Sequence, residues 1–373
     1  MLSQKLNNGA YFFTYITLLW IFFQYVYAID LGNYNKLEAM KYFNAANYFI
    51  ENGTLPNMRY LFYGTITGLI ALHLKFKFSV LYIIAFQLLF NLFAIQCFGY
   101  VIKKKYGSIA ALASIFLLVA SYDWTIWNFY LYSESTFFSF TLLWLSSLLY
   151  FSKPSNKVLF LQCILLMGCI FSRPIGVGYI LIYGFLFFMR NRETNVKLRI
   201  GALLTITILF FIISYIIALK IEDHEIYLSS IEGCIICGVP TDMKLEVANP
   251  QNFNPILLWI ELIFSNPLFF IKLFFLRIFF LFSPMISHFS LSHNIQNLIL
   301  CTFVYLGLFF RFYRKIKLNH IEKSICIFLI IFIILIGLQC NDWSRRFYSA
   351  ILPFLIVLGV TRTIARIQKS DEL

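Results

Sequence analysis

Long apolar runs alternate with short clusters of lysine and arginine along this chain, and that alternation constrains the fold more than any other feature. A membrane-crossing helix needs about 20 apolar residues, and in hydrocarbon every backbone N–H and C=O must find its partner within the protein. The runs therefore read as helices, and the basic clusters fix which of their ends face the cytoplasm. Composition agrees: 13% of the 373 residues are charged and 60% are hydrophobic, against about 25% charged in soluble domains. The formal charge of +13 would suit a nucleic-acid partner if it were gathered on one face. It is instead divided among the gaps between apolar runs, which excludes nucleic acid and implies a lipid bilayer as the partner.

Ten spans follow, near 10–29, 78–101, 107–121, 135–151, 158–171, 177–189, 200–219, 295–311, 324–340 and 349–361. Lys103–Lys105, Arg190/Arg192, Arg311–Lys317 and Arg362–Lys369 then lie inside, together with both termini. Most of the 30 Lys/Arg fall inside and most of the 17 Asp/Glu outside. Two further apolar stretches break this parity if counted as spans. Residues 61–74 are short and end in Lys75 and Lys77, so they are expected to dip into the outer interface. Residues 266–286 carry Lys272 and Arg277 and are expected to lie at the outer interface or re-enter. The expectation is one membrane-embedded domain over 1–373, with outside regions at 30–77 and 221–290.

Residues 1–29 resemble a signal peptide, but an apolar run of about 19 residues is longer than a signal's apolar region, so an uncleaved first span is expected. The final SDEL resembles a retention tail. The neighbouring basic residues place it in the cytoplasm, where a luminal receptor cannot read it. Six cysteines (97, 163, 169, 301, 326 and 340) sit singly in apolar runs and read as small core residues. Cys234 and Cys237 form one CxxC without a second pair, read as a local disulfide or two free thiols rather than a metal site.

The first outside loop opens with a helix-period segment, EAMKYFNAANYFIENG, over Glu38–Gly53. Ala39, Phe43, Ala46 and Phe49/Ile50 share one side of a helix, and Glu38, Lys41, Asn44 and Glu51 fall elsewhere. That pattern suits a helix lying in the membrane interface, with Glu38 either a solvated acid on a connector or a member of a site. Other ionisable residues gather at the same side of the membrane: Asp30 in the first loop, Asp123 and Glu134 in the second, Arg173 at a short turn, and Arg345 and Arg346 before the last span. Glu134 also fits the ordinary role of an acid at a helix N-terminus. Arg173 lies in a turn too short to reach far from the membrane, where a guanidinium needs an anionic partner. Carboxylates and arginines facing lipid suit one reaction in particular. A carboxylate takes the proton of an acceptor hydroxyl, while arginines stabilise charge on a departing lipid phosphate. The same charges could bind the substrate of a transporter, though no internal repeat of the transporter kind is present.

The segments Glu38–Ala46, Gly53 and Tyr60–Tyr63, then Gln87, Trp127-Asn128, Ser133-Glu134-Ser135, Arg173-Pro174-Ile175-Gly176, and Arg346-Phe347 before Pro353 together resemble the GT-C glycosyltransferases. These include the protein O-mannosyltransferases, the aminoarabinose transferases of lipid A and the GPI mannosyltransferase family with its bacterial relatives. The resemblance covers residues 10–190 and the last 35, and elsewhere rests on architecture alone. It implies an all-α GT-C fold and transfer from a polyprenyl-phosphate-linked sugar to a lipid, glycan or protein acceptor. Transfer would occur on the extracytoplasmic face of a bacterial inner or plasma membrane. It also implies a first-loop acid as base, here Glu38 where relatives have Asp, with Asp30 eight residues earlier as the competing candidate. Glu134 would orient a substrate. Tyr42, Arg59, Tyr63, Gln87, Asn128, Arg173, Arg345 and Arg346 would line the substrate site. Some relatives use a divalent cation; no ligand set is evident in this chain. A cell-envelope polysaccharide polymerase or flippase, or a solute transporter, stands as the alternative.

Overall fold

The computed structural model describes residues 9–28, 38–151, 155–190, 229–242, 245 and 263–371. The seventh expected span, Asp30 and most of the acidic loop lie outside the described residues. All regular structure among the described residues is helical, and the chain is an all-α, multi-pass membrane protein.

The helices are α1 (Gly9–Ala28), α2 (Glu38–Asn52), α3 (Gly64–Phe76), α4 (Leu81–Tyr106), α5 (Ser108–Val119), α6 (Ser133–Tyr150), α7 (Asn156–Ser172), α8 (Tyr179–Arg190), α9 (Pro267–Phe282), α10 (Leu291–Tyr313), α11 (His320–Leu338), α12 (Arg346–Ile356) and α13 (Arg362–Asp371). Five stretches are long and apolar enough to cross a membrane: α1, α4, α10, α11 and the continuous run Arg346–Gln368. A sixth is completed if α5 and the bent turn Tyr122–Phe129, inclined at 75°, count as one. α7 and the Pro174–Met189 stretch are shorter apolar helices. α3, expected to dip rather than span, has 13 residues, or roughly 20 Å of helix, short of hydrocarbon thickness.

α6 is the centre of the bundle. Every residue but Phe140, Leu143 and Tyr150 is buried, its hydroxyl-bearing residues included. Its hydroxyls cost little there because they bond back to the helix: Ser139 Oγ donates to the Ser135 carbonyl at 2.8 Å and Ser146 Oγ to that of Leu142 at 2.6 Å. α4 and α7 pack on either side of it. Polar pairs tie the layers across the bundle, with Trp20 Nε1 donating to Asn91 Oδ1 at 3.0 Å and Asn91 Nδ2 to Ser139 Oγ at 3.4 Å.

α10, α11 and α12 form the other side. α11 starts in a capping box, Asn319 Oδ1 accepting from the Glu322 N–H and Glu322 Oε2 from that of Asn319, both at 2.9 Å. The Glu322 carboxylate also accepts from Arg311 Nη2 and Arg362 Nε, each at 2.8 Å, which neutralises a fully buried acid. Pro353 removes a backbone donor inside α12, and a π-helical turn, Val357–Thr361, follows. There the backbones of two helices touch. A Cβ on Gly359 would lie 2.8 Å from the Leu308 nitrogen, and one on Gly307 3.0 Å from that of Val360.

Three expectations are corrected. The inward side of α2 is Ala39, Tyr42, Ala45 and Ala46, while Phe49 and Ile50 are exposed. The helix is rotated because Tyr42, rather than Phe43, packs beneath Tyr63, with ring centroids 5.5 Å apart. The CxxC forms no local bridge, and Cys340 is not a lone core residue: Cys237 pairs with Cys340, 103 residues away, and Cys234 stays a thiol. Backbone bonds bring the two segments together, Cys237 N–H to the Asn341 carbonyl at 2.9 Å and Asn341 N–H to that of Ile235 at 2.8 Å. Arg277 holds the loop from within. It is buried in α9 and donates to the carbonyls of Cys234 at 2.9 Å, Leu338 at 3.0 Å and Ser229 at 3.3 Å. This explains a charge inside an apolar helix of only 16 residues, a length that fits the expected interfacial or re-entrant segment.

Because the α10 contact is backbone to backbone, no side chain can yield to added volume. Gly359→Val is expected to destabilise the protein by about 1–3 kcal/mol, the usual cost of overpacking. Gly68→Val, at an open position on α3, should leave the thermal midpoint in detergent nearly unchanged.

Candidate functional site

Four helix ends deliver charge to one place. Glu38 is the first residue of α2, Arg346 the first of α12, and Glu134 lies in the first turn of α6. Arg173 follows the last residue of α7 in extended backbone (φ −155°, ψ 146°), and Pro174 then opens a 3-10 turn. Extended backbone is what a residue before proline favours. Gly176 closes that turn so tightly onto α7 that a Cβ would overlap the Cys169 carbonyl. The Arg-Pro-x-Gly sequence thus folds the chain back and leaves the Arg173 side chain pointing at α6.

Glu134 is fully buried, and a buried carboxylate must be paired. Its Oε1 accepts from Arg173 Nη1 and from Arg346 Nη1, the latter at 2.7 Å, while Oε2 accepts from Ser133 Oγ at 3.3 Å. Arg346 Nη1 also reaches Glu38 Oε2, and Arg346 Nε donates to Ser344 Oγ at 2.9 Å beside Asp342 Oδ2 at 3.3 Å. The guanidinium lies 5.0 Å from the Trp127 ring centroid and 5.8 Å from that of Tyr132. Glu38 takes a second cation, Lys41 Nζ at 3.0 Å from Oε1. The lysine covers the rings of Tyr42 and Tyr63 at 5.1 and 5.5 Å. Exposure separates the two acids: the Glu38 side chain is 32% exposed and that of Glu134 0%. Glu38 is therefore the carboxylate that a second molecule can reach, and Glu134 is the anchor of both arginines. Burial pushes the Tyr42 phenol well above its ordinary value, and the Glu134 carboxylate pushes it the same way, so Tyr42 stays neutral.

The structure thus gathers Glu38, Tyr42, Tyr63, Glu134, Arg173 and Arg346. Gln87 and Asn128 are buried against the same end of α6, Gln87 Nε2 donating to the Tyr132 carbonyl at 3.2 Å and Asn128 Oδ1 accepting from Ser135 Oγ at 2.6 Å. Arg59 is exposed on the 3-10 segment Met58–Tyr63, its guanidinium 5.4 Å from the Tyr60 ring. Asp30 lies outside the described residues.

Arg345 belongs to a different cluster. Its Nη1 faces Asp123 Oδ2 at 3.4 Å, and its guanidinium lies 4.4 Å from the Tyr348 ring. Asp123 also meets His293 Nε2 at 2.7 Å and Asn297 Nδ2 at 3.1 Å, two residues one turn apart on α10. His293, Asn297, Asp342 and Ser344 were not picked out from sequence. A polar pair four apart at the start of an apolar helix was the available signal for the first two. Among the described residues no group of three or more His, Cys, Asp or Glu side chains could hold a metal ion. The chain matches no family model, no curated protein and no solved structure.

Glu134→Gln removes the one negative charge that Arg173 and Arg346 share. Its expected cost is about 3–5 kcal/mol, the range for breaking a buried ion pair. Pairing it with Arg173→Gln should recover part of that loss, as read from thermal unfolding in detergent.

Proposed function

We propose that this chain is a membrane glycosyltransferase of the GT-C kind, moving a sugar from a polyprenyl-phosphate donor to a hydroxyl of a lipid, glycan or protein. The observation that carries the proposal is the sharing of Arg346 between Glu38 and Glu134, with Arg173 beside it. A donor phosphate competes with carboxylates for guanidinium groups, and bidentate arginine is well matched to it. When the phosphate takes Arg346, Glu38 is released next to the bound donor. Glu38 then accepts the proton of the acceptor hydroxyl as the acceptor oxygen bonds to the anomeric carbon. The bond from that carbon to the phosphate oxygen breaks, and the departing phosphate keeps the electron pair and remains on Arg173 and Arg346.

Sidedness has two supports. Disulfides persist in oxidising compartments, and the Cys237–Cys340 bridge lies a few residues before Arg346. The far ends of α4 and α10 carry Lys103–Lys105 and Arg311–Lys317, a cytoplasmic signature. Both favour an extracytoplasmic site; cytoplasmic termini and ten spans belong to the same proposal.

The test is reconstitution in lipid vesicles with labelled polyprenyl-phosphate hexoses and pentoses. The parent protein should transfer label to an acceptor, and Glu38→Gln should lower the rate by about 10²–10⁴-fold, the range for a general base. Full activity in both Glu38→Gln and Asp30→Asn removes the proposed base, and no transfer with any donor overturns the reaction.

A further inference from the structure

Arg345 and Arg346 are neighbours in sequence, yet their guanidiniums enter separate clusters. The divergence begins in the backbone. Arg345 has φ 55° and ψ 23°, the left-handed region that residues with a Cβ seldom occupy. An ordinary residue stays there only when its surroundings hold it. The Arg345 side chain is 2% exposed, and the acid it faces is Asp123. Its remaining contacts are the Tyr348 ring and Cys301 Sγ at 3.6 Å.

Asp123 is itself fixed from two sides. His293 and Asn297 of α10 hold its carboxylate, and its main-chain carbonyl accepts from Ser349 Oγ of α12 at 3.0 Å. The same carbonyl accepts from Trp127 Nε1 at 2.7 Å. Trp127 carries the ring against which the Arg346 guanidinium lies at 5.0 Å. Asp123 thus reaches Arg346 by two routes. Its carboxylate holds the residue before Arg346 in the conformation that starts α12, and its carbonyl holds the ring beneath the guanidinium.

We infer that Asp123 is a positioning residue: through Arg345 and Trp127 it aims Arg346 at the Glu38–Glu134 pair, without touching that pair itself. The functional consequence rests on the proposed role of Arg346 as the residue that takes the donor phosphate. The geometric part does not, so the two are tested by separate measurements.

Asp123→Asn keeps the carbonyl and the side-chain shape and removes the charge opposite Arg345. The first measurement is modification of arginines by phenylglyoxal in detergent, read residue by residue by mass spectrometry. The expected result is faster modification of Arg346 in Asp123→Asn, with Arg277 and Arg311 as slow as in the parent. Arg277 and Arg311 are buried elsewhere in the bundle and report general loosening. An unchanged Arg346, or a rise at all three arginines together, overturns the inference. The second measurement is binding of polyprenyl phosphate to the protein in nanodiscs. Asp123→Asn and Arg346→Gln should each weaken binding by at least about 10-fold, a loss of the size outer-shell partners produce, and the double variant should be no weaker than Arg346→Gln alone. Losses that multiply overturn the inference, because Asp123 then acts independently of Arg346. Absence of polyprenyl phosphate binding by the parent overturns the proposed donor and leaves the labelling result to decide the geometry.

Discussion

One buried carboxylate oxygen organises the end of the bundle where the charged residues meet. Glu134 sits on the helix that the rest of the protein surrounds, so its charge cannot reach water. An ion in that position must be matched, and Arg173 and Arg346 match it from α7 and α12. Each arginine brings its own chain segment with it: the Arg-Pro-x-Gly turn in one case, the start of α12 in the other. α2 joins them because Arg346 Nη1 also donates to Glu38. Segments 39, 212 and 308 residues apart in sequence are joined through a single charge balance.

The opposite end of α10–α12 repeats the device, again with one buried acid between two arginines. Glu322 is buried between Arg311 and Arg362, the latter roughly 24 Å along the helix from Arg346. Between these two pins the helices meet through Gly307 and Gly359, where only backbone separates them. In lipid, apolar burial gives little preference for one helix arrangement over another, and close backbone contact and polar pairing supply what specificity there is. The disulfide and Arg277 extend the pinning to the 229–241 loop, which is thereby tied to the turn that carries Arg345 and Arg346.

The parts legible in the sequence are those whose physics is local. Apolar runs gave the helices because length and hydropathy are local properties. Glu38, Glu134, Arg173 and Arg346 stood out because each is an ionisable group at a helix end beside an apolar run. The parts that escaped depend on what lies opposite. The α2 side was misassigned because Phe43 and Tyr42 are adjacent, and only the Tyr63 ring decides which of them turns inward. The Cys234–Cys237 spacing said nothing of Cys340. Arg345 and Arg346 looked like one basic pair until the left-handed residue between two regular segments sent them apart. His293 was silent because a histidine at a helix start has many ordinary roles, and its partner Asp123 lies 170 residues away.

The Glu38–Glu134 cluster is nearly neutral: Glu38, Glu134 and Asp342 face Lys41, Arg173 and Arg346. On the proposed function, an arriving phosphate does not meet a vacant cationic pocket. It must take an arginine from a carboxylate already holding it. Glu134 cannot leave, since it is enclosed by α6 and its neighbours, and Asp342 is fastened to Ser344 by both the backbone N–H and the hydroxyl at 2.9 Å. Glu38 is the exposed member, held by side chains at the tip of a helix that lies over the site, and it is the group that can move. Anion binding and release of the base are then a single exchange at Arg346.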